Sequence, residues 1–72
     1  MVLAEKIVLL RKRKGWSQEE LADKLDISRQ SVSKWELGAS IPDLDKILRL
    51  SELFDVTTDY LLKDDVREIS IA

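Results

Sequence analysis

Hydrophobic residues fall on helical spacing along nearly the whole chain. Leu3, Ile7 and Leu10 recur at intervals of four and three, which predicts an amphipathic helix from Val2 to about Lys14 that stops at Gly15, with Trp16 packed at the junction. Ser17-Gln18-Glu19-Glu20 has the form of a capping box, in which the Ser17 hydroxyl accepts from the Glu20 N–H and the Glu20 carboxylate reaches back. A second helix therefore begins there, turns Leu21, Ala22 and Leu25 inward, and ends at Asp26. Ser28 is the next N-cap, which leaves about three residues for the turn.

The third helix runs from Arg29 to about Leu37 and stops at Gly38. At roughly 100° per residue, Ser31, Val32 and Trp35 share one face while Arg29, Gln30, Ser33, Lys34 and Leu37 share the other. The outer face is short, polar and rich in donors. After the loop Ser40-Ile41-Pro42, a fourth helix from Asp43 to about Leu53 is expected to turn Leu44, Ile47, Leu48, Leu50 and Leu53 inward. Asp55-Val56-Thr57 breaks and re-caps the chain for a fifth helix, Thr58 to Lys63, with Tyr60, Leu61 and Leu62 as apolar surface.

Five short helices with brief connections describe a compact all-α domain. Its informative part is the pair in the middle. A tight turn, with the small Ala22 facing Val32 ten positions later, allows the close crossing of a helix-turn-helix. The expected division is a domain over residues 1–63 and a C-terminal tail, or the start of a linker, over 64–72.

Composition narrows the function. The 72 residues amount to one small domain or a fragment of a longer protein, 44% hydrophobic and 36% charged, with no cysteine and no histidine. Disulfides, thiolate or imidazole metal ligands and a histidine general base are thereby absent, so no metal or other cofactor is expected. No nucleophile–base pair is visible either, and a non-enzymatic role is expected. Glu19, Glu20 and Asp23 read as a solvated, capping helix face rather than catalytic carboxylates, and Trp16 and Trp35 as packing rather than base-stacking platforms. The longest charge-free stretch, Leu37 to Pro42, is six residues, far short of the ~20 that span a bilayer. Without a secretory pattern at the start, a cytoplasmic protein away from membranes is expected.

The net charge of −2 does not by itself suggest a polyanion partner, but its distribution does. Residues 1–14 carry five positive charges and one negative, whereas residues 39–72 carry four and eight. The run Arg11-Lys12-Arg13-Lys14 both closes a helix, where cations complement the dipole, and gives the molecule a basic end.

Residues 3–62 resemble the lambda-repressor/Cro-like (XRE-type) helix-turn-helix family. The matching pieces are Leu-Arg-Lys-Arg-Lys-Gly at 10–15, Ser-Gln-Glu-Glu-Leu-Ala at 17–22, Ile-Ser-Arg-Gln-Ser-Val-Ser-Lys-Trp-Glu-Leu-Gly at 27–38, Pro42, and Leu61-Leu62. The resemblance implies a five-helix domain that binds double-stranded DNA, as a homodimer or paired domains on a two-fold operator, and regulates transcription, with repression the expected mode. It places Gln18 against a phosphate and Arg29, Gln30 and Lys34 on base edges, and it makes Arg11 and Glu36 an internal ion pair. The residue chemistry agrees: Arg and Lys donate to guanine O6 and N7, and Gln pairs with adenine N6 and N7. Ser17, Ser31 and Ser33 are short hydroxyls suited to phosphate oxygens.

Two positions depart from the family pattern. Asp26 stands where glycine is favoured in the turn, and Leu37 where Asn or Arg often touches the DNA backbone. Fewer phosphate contacts are expected than in a basic family member. The alternative is a protein-interaction module, such as an antitoxin or regulatory partner, using the same fold. Self-association is expected through helix 5 and the tail, where Tyr60, Leu61, Leu62, Val66, Ile69 and Ile71 exceed what the end of a small core buries.

Overall fold

Short polar side chains start four of the five helices in the computed structural model, which describes residues 2–63. The helices are α1 (Leu3–Arg13), α2 (Gln18–Leu25), α3 (Arg29–Leu37), α4 (Leu44–Phe54) and α5 (Thr58–Leu62), and no strand occurs among the described residues. Ser17, Ser28, Asp43 and Thr57 each accept from the backbone N–H three residues on. At Ser17 the box closes in both directions: Glu20 N donates to Ser17 Oγ at 3.0 Å, and Ser17 N donates to Glu20 Oε1 at 2.7 Å. Helix α1 lacks such a cap, and there the Glu5 carboxylate accepts from the Val2 N–H at 3.2 Å.

Four helices end in one way. Gly15, Asp26, Gly38 and Asp55 adopt left-handed backbone with φ of 76°, 59°, 76° and 57°. Each such residue and its successor donate back to the last turn, as in Gly15 N to Lys12 O at 3.0 Å and Trp16 N to Arg11 O at 3.1 Å. Asp26 thus serves the tight turn between α2 and α3 despite its side chain, because Asp tolerates left-handed backbone better than most residues.

The core joins all five helices. Ile7 and Leu10 of α1, Leu21, Ala22 and Leu25 of α2, Val32 and Trp35 of α3, Ile47, Leu50 and Phe54 of α4 and Leu61 of α5 are buried together. The most extensive packing is between α2 and α3, where Ala22 and Val32 are both buried. Trp16 is half-buried, its ring stacked 5.9 Å from Phe54 and with Lys24 Nζ over it at 4.6 Å from the centroid. Arg49 Nη2 donates to the Lys24 carbonyl at 2.9 Å, which ties α4 to the end of α2.

Two expectations change, and one buried charge was not anticipated. Leu44 and Leu48 do not turn inward: they are 70% and 47% exposed, because the buried stripe of α4 follows Ile47, Leu50 and Phe54 and these two lie to one side of it. Leu61 cannot belong to an association surface, since it is buried in the core, and of the residues named with it Tyr60 is half-buried and Leu62 exposed. Val66, Ile69, Ile71 and the whole 64–72 tail lie outside the described residues. Finally, Lys6 is fully buried. Its ammonium donates to the Tyr60 carbonyl at 2.5 Å and to the Lys63 carbonyl, and sits 5.1 Å from the Tyr60 ring centroid. It caps the C-terminal end of α5 from the middle of α1.

Candidate nucleic-acid interface

Helix α3 presents its polar side outward because Val32 and Trp35 hold the other side in the core. Arg29, Gln30 and Lys34 are exposed, Ser31 and Ser33 are half-buried, and Leu37 is 80% exposed. Three charged residues lie on this helix: Arg29, Lys34 and Glu36. The acidic one is taken inward. Arg11 Nε donates to Glu36 Oε2 at 2.6 Å and Arg11 Nη2 to Glu36 Oε1 at 3.0 Å, a fork-on-carboxylate geometry between side chains only 11% and 7% exposed. The third guanidinium arm, Arg11 Nη1, donates to the Trp16 carbonyl at 2.9 Å.

Burial pushes the Glu36 carboxyl up, but the hydrogen bonds from Arg11 and Gln18 and the charges of Arg11 and Lys12 outweigh it and hold the group below its ordinary range. The Arg11 guanidinium is raised above its ordinary value, chiefly by the hydrogen bond to Glu36 and against the effect of burial. Both groups stay charged at neutral pH. The outward charges of α3 are therefore Arg29 and Lys34, both positive.

Helix α2 meets this face at its N-terminus. Gln18 Nε2 donates to Glu36 Oε1 at 2.9 Å, while Arg29 Nη1 donates to Gln18 Oε1 at 3.2 Å. Gln18 keeps one amide hydrogen for another acceptor. The Ser17 hydroxyl accepts the capping bond and retains its own hydrogen, and Ser31 Oγ lies 3.2 Å from Ser28 Oγ.

On the far side of α3 an open cleft of about 430 Å³ is bordered by Ser31, Lys34, Trp35, Ser40, Asp43 and Lys46. Two lysines and two serines, residue types suited to phosphate oxygens, line it together with the apolar Ile27, Trp35 and Ile41, with Asp43 engaged in capping α4. Lys46 and Ser40 were not among the residues singled out from sequence. Lys46 is one charge in a mixed acidic and basic helix, with its Nζ 3.5 Å from the Asp45 carboxylate, and only the return of α4 past α3 brings it beside Lys34. Among the described residues no cluster of three or more His, Cys, Asp or Glu could hold a metal ion, and no helix is long and apolar enough to cross a membrane.

The Helix-turn-helix family model matches residues 7–61. The chain is 42% identical over 62 residues to the SPbeta prophage-derived uncharacterized HTH-type transcriptional regulator YonR of Bacillus subtilis (strain 168), covering 86% of this chain and 57% of that protein. It is 42% identical over 67 residues to the HTH-type transcriptional regulator ImmR of the same organism, covering 92% and 53%. This chain thus spans little more than half the length of these curated relatives. The P22 c2 repressor, solved in complex with a synthetic operator, superimposes with a TM-score of 0.84 at 31% identity over 90% of this chain and 98% of that one. Because the matched segment runs from α1 through α5 and includes both central helices, the chain belongs to the helix-turn-helix family, in its lambda-repressor/Cro-like form.

Proposed function

We propose that this domain binds double-stranded DNA in a sequence-dependent way and regulates transcription, with the outer face of α3 laid in the major groove. The observation that carries the reading is electrostatic. Glu36 is turned inward onto Arg11, so the charges that α3 offers outward are all positive, although the chain as a whole is acidic. Arg29, Gln30 and Lys34 are the base-reading residues. Ser17, Gln18, Ser31 and Ser33 hold phosphates on either side of the groove, joined by Ser40 and Lys46 where the cleft opens beside Lys34.

Repression is the proposed mode, supported by the likeness to the P22 c2 repressor, and a homodimer on a two-fold operator is the proposed assembly in a cytoplasmic setting. Selection of sites from a randomised duplex library, followed by titration across salt concentrations, tests the reading. A shared motif, with log K falling by about 0.9 for each phosphate contacted per unit of log salt, supports it; no enriched motif overturns it.

One observation favours the second reading, a protein-interaction module. Leu37, Ile41 and Leu44 are 80%, 78% and 70% exposed. If these residues serve a protein partner, changing them to serine abolishes partner binding and leaves DNA affinity intact.

A further inference from the structure

We infer that Glu36, which does not face the proposed groove itself, is a positioning residue for sequence readout: it fixes the orientation of the Gln18 amide, and that amide in turn anchors Arg29. The inference rests on the reading of α3 as the base-reading helix and adds to it a determinant that lies largely inside the molecule.

Four side chains form one continuous path. Arg11 donates twice to the Glu36 carboxylate, Gln18 Nε2 donates to the same Oε1 at 2.9 Å, and Arg29 Nη1 donates to Gln18 Oε1 at 3.2 Å. The chemistry allows one polarity only. An ionised carboxylate only accepts, so the amide end that meets it must be the NH2; a guanidinium only donates, so the end that meets Arg29 must be the carbonyl oxygen. The flipped amide would set oxygen against oxygen at Glu36 and hydrogen against hydrogen at Arg29. The two ends reinforce one another, and the carboxylate is itself held by Arg11.

The consequence falls on Arg29. An exposed arginine otherwise samples many rotamers, and two-point recognition of a guanine edge requires its planar fork to be aimed. Tethering Nη1 to a fixed oxygen uses one N–H and leaves four, and it removes part of the freedom that would be lost on binding. Gln18 meanwhile retains its second amide hydrogen for a phosphate, so one residue links backbone contact to base contact.

Two variants test this at sites recovered by selection. Glu36→Gln keeps the shape but offers both a donor and an acceptor, so that the amide orientation is no longer dictated. Gln18→Met keeps the bulk and removes the link while leaving both Arg11–Glu36 hydrogen bonds in place. The readout is the ratio of affinities for the selected duplex and for one substituted at the base pair whose preference Arg29→Ala erases. Each variant should lower that ratio by about threefold to tenfold, a part of what a bidentate contact supplies, with the ratio at the Gln30-dependent pair unchanged. In an Arg29→Ala background neither should lower it further.

A fall in melting temperature or overall affinity with an unchanged ratio would overturn the inference, as would an equal loss of discrimination at every position. Arg29→Ala alone separates the two levels. If it alters discrimination while Glu36→Gln and Gln18→Met do not, only the relay fails; if it alters nothing, the base-reading role of Arg29 fails with it.

Discussion

At the scale of single residues, three largely buried charged side chains, Arg11, Glu36 and Lys6, take structural roles, and two of them were legible in the sequence. Arg11 and Glu36 could be paired because the family resemblance links them; nothing in composition would have matched position 11 with position 36. Their burial sets a measurable contrast. Arg11→Ala leaves Glu36 without its principal partner and should cost roughly 3–5 kcal/mol, against about 0–1 kcal/mol for the exposed Arg13→Ala, as judged by urea denaturation. Equal midpoints would contradict the pairing. Acid should act on the same pair. Glu36 binds its proton less readily in the folded chain than in the unfolded one, so its contribution is complete above its ordinary value of 4.5 and is lost as pH falls through the lower folded value, while Arg11 stays charged throughout. Glu36→Gln should therefore melt lower at neutral pH and lose less on acidification than wild type; parallel pH curves would argue against it. Lys6 is the residue that pattern reading missed. It lies on the same stripe as Leu3, Ile7 and Leu10, and a lysine there reads as an edge until the carbonyls of α5 supply its partners.

At the scale of the elements, the helix ends were the most legible feature, since caps are local chemistry. Ser17, Ser28, Asp43 and Thr57 announce their helices through side-chain hydrogen bonds that need no tertiary partner. The inward face of α4 was less legible, because its leucines and isoleucine surround more than half the helix and only packing against the others selects Ile47, Leu50 and Phe54. Terminating α2 and α4 with aspartate has a cost that can be measured. At Asp26 and Asp55 a side chain occupies left-handed backbone and a negative charge sits at the negative end of a helix. Asp26→Gly and Asp55→Gly should each stabilise by about 0.5–1 kcal/mol, the lower figure reflecting the greater freedom glycine gives the unfolded chain, and thermal melting should rise accordingly. A fall in melting temperature would mean that the aspartate side chains contribute more than their strain. Lys6→Met should loosen α5, at about 1–3 kcal/mol, by removing the donors to the Tyr60 and Lys63 carbonyls. Hydrogen exchange that stays equally slow in α5 would contradict that role.

At the scale of the whole molecule, an acidic chain keeps only positive charges on the outer side of α3 because its charges are sorted by the fold. Lys12 and Arg13 of α1 and Arg29 and Lys34 of α3 stay outside while the acidic residue of α3 is buried against Arg11. The five-helix architecture and the outer residues of α3 follow from spacing and capping, whereas the cleft that joins Lys34 to Lys46 depends on the return of α4 and could not be read along the chain. A two-fold operator requires a two-fold protein, and sedimentation at about 100 μM should show weak self-association that depends on residues 64–72 and Leu62. A monomer indifferent to their removal would move the association surface elsewhere, with the exposed Ile41, Leu44 and Leu48 as the next region to test. The claim at the centre is that α3 reads bases, and site selection with wild type, Arg29→Ala and Gln30→Ala tests it most directly. Each substitution should cost about 1–3 kcal/mol on the preferred site and flatten the selected motif at one or two base pairs, with non-specific binding reduced less. Recovery of the wild-type motif at unchanged affinity by both variants would remove α3 from the interface.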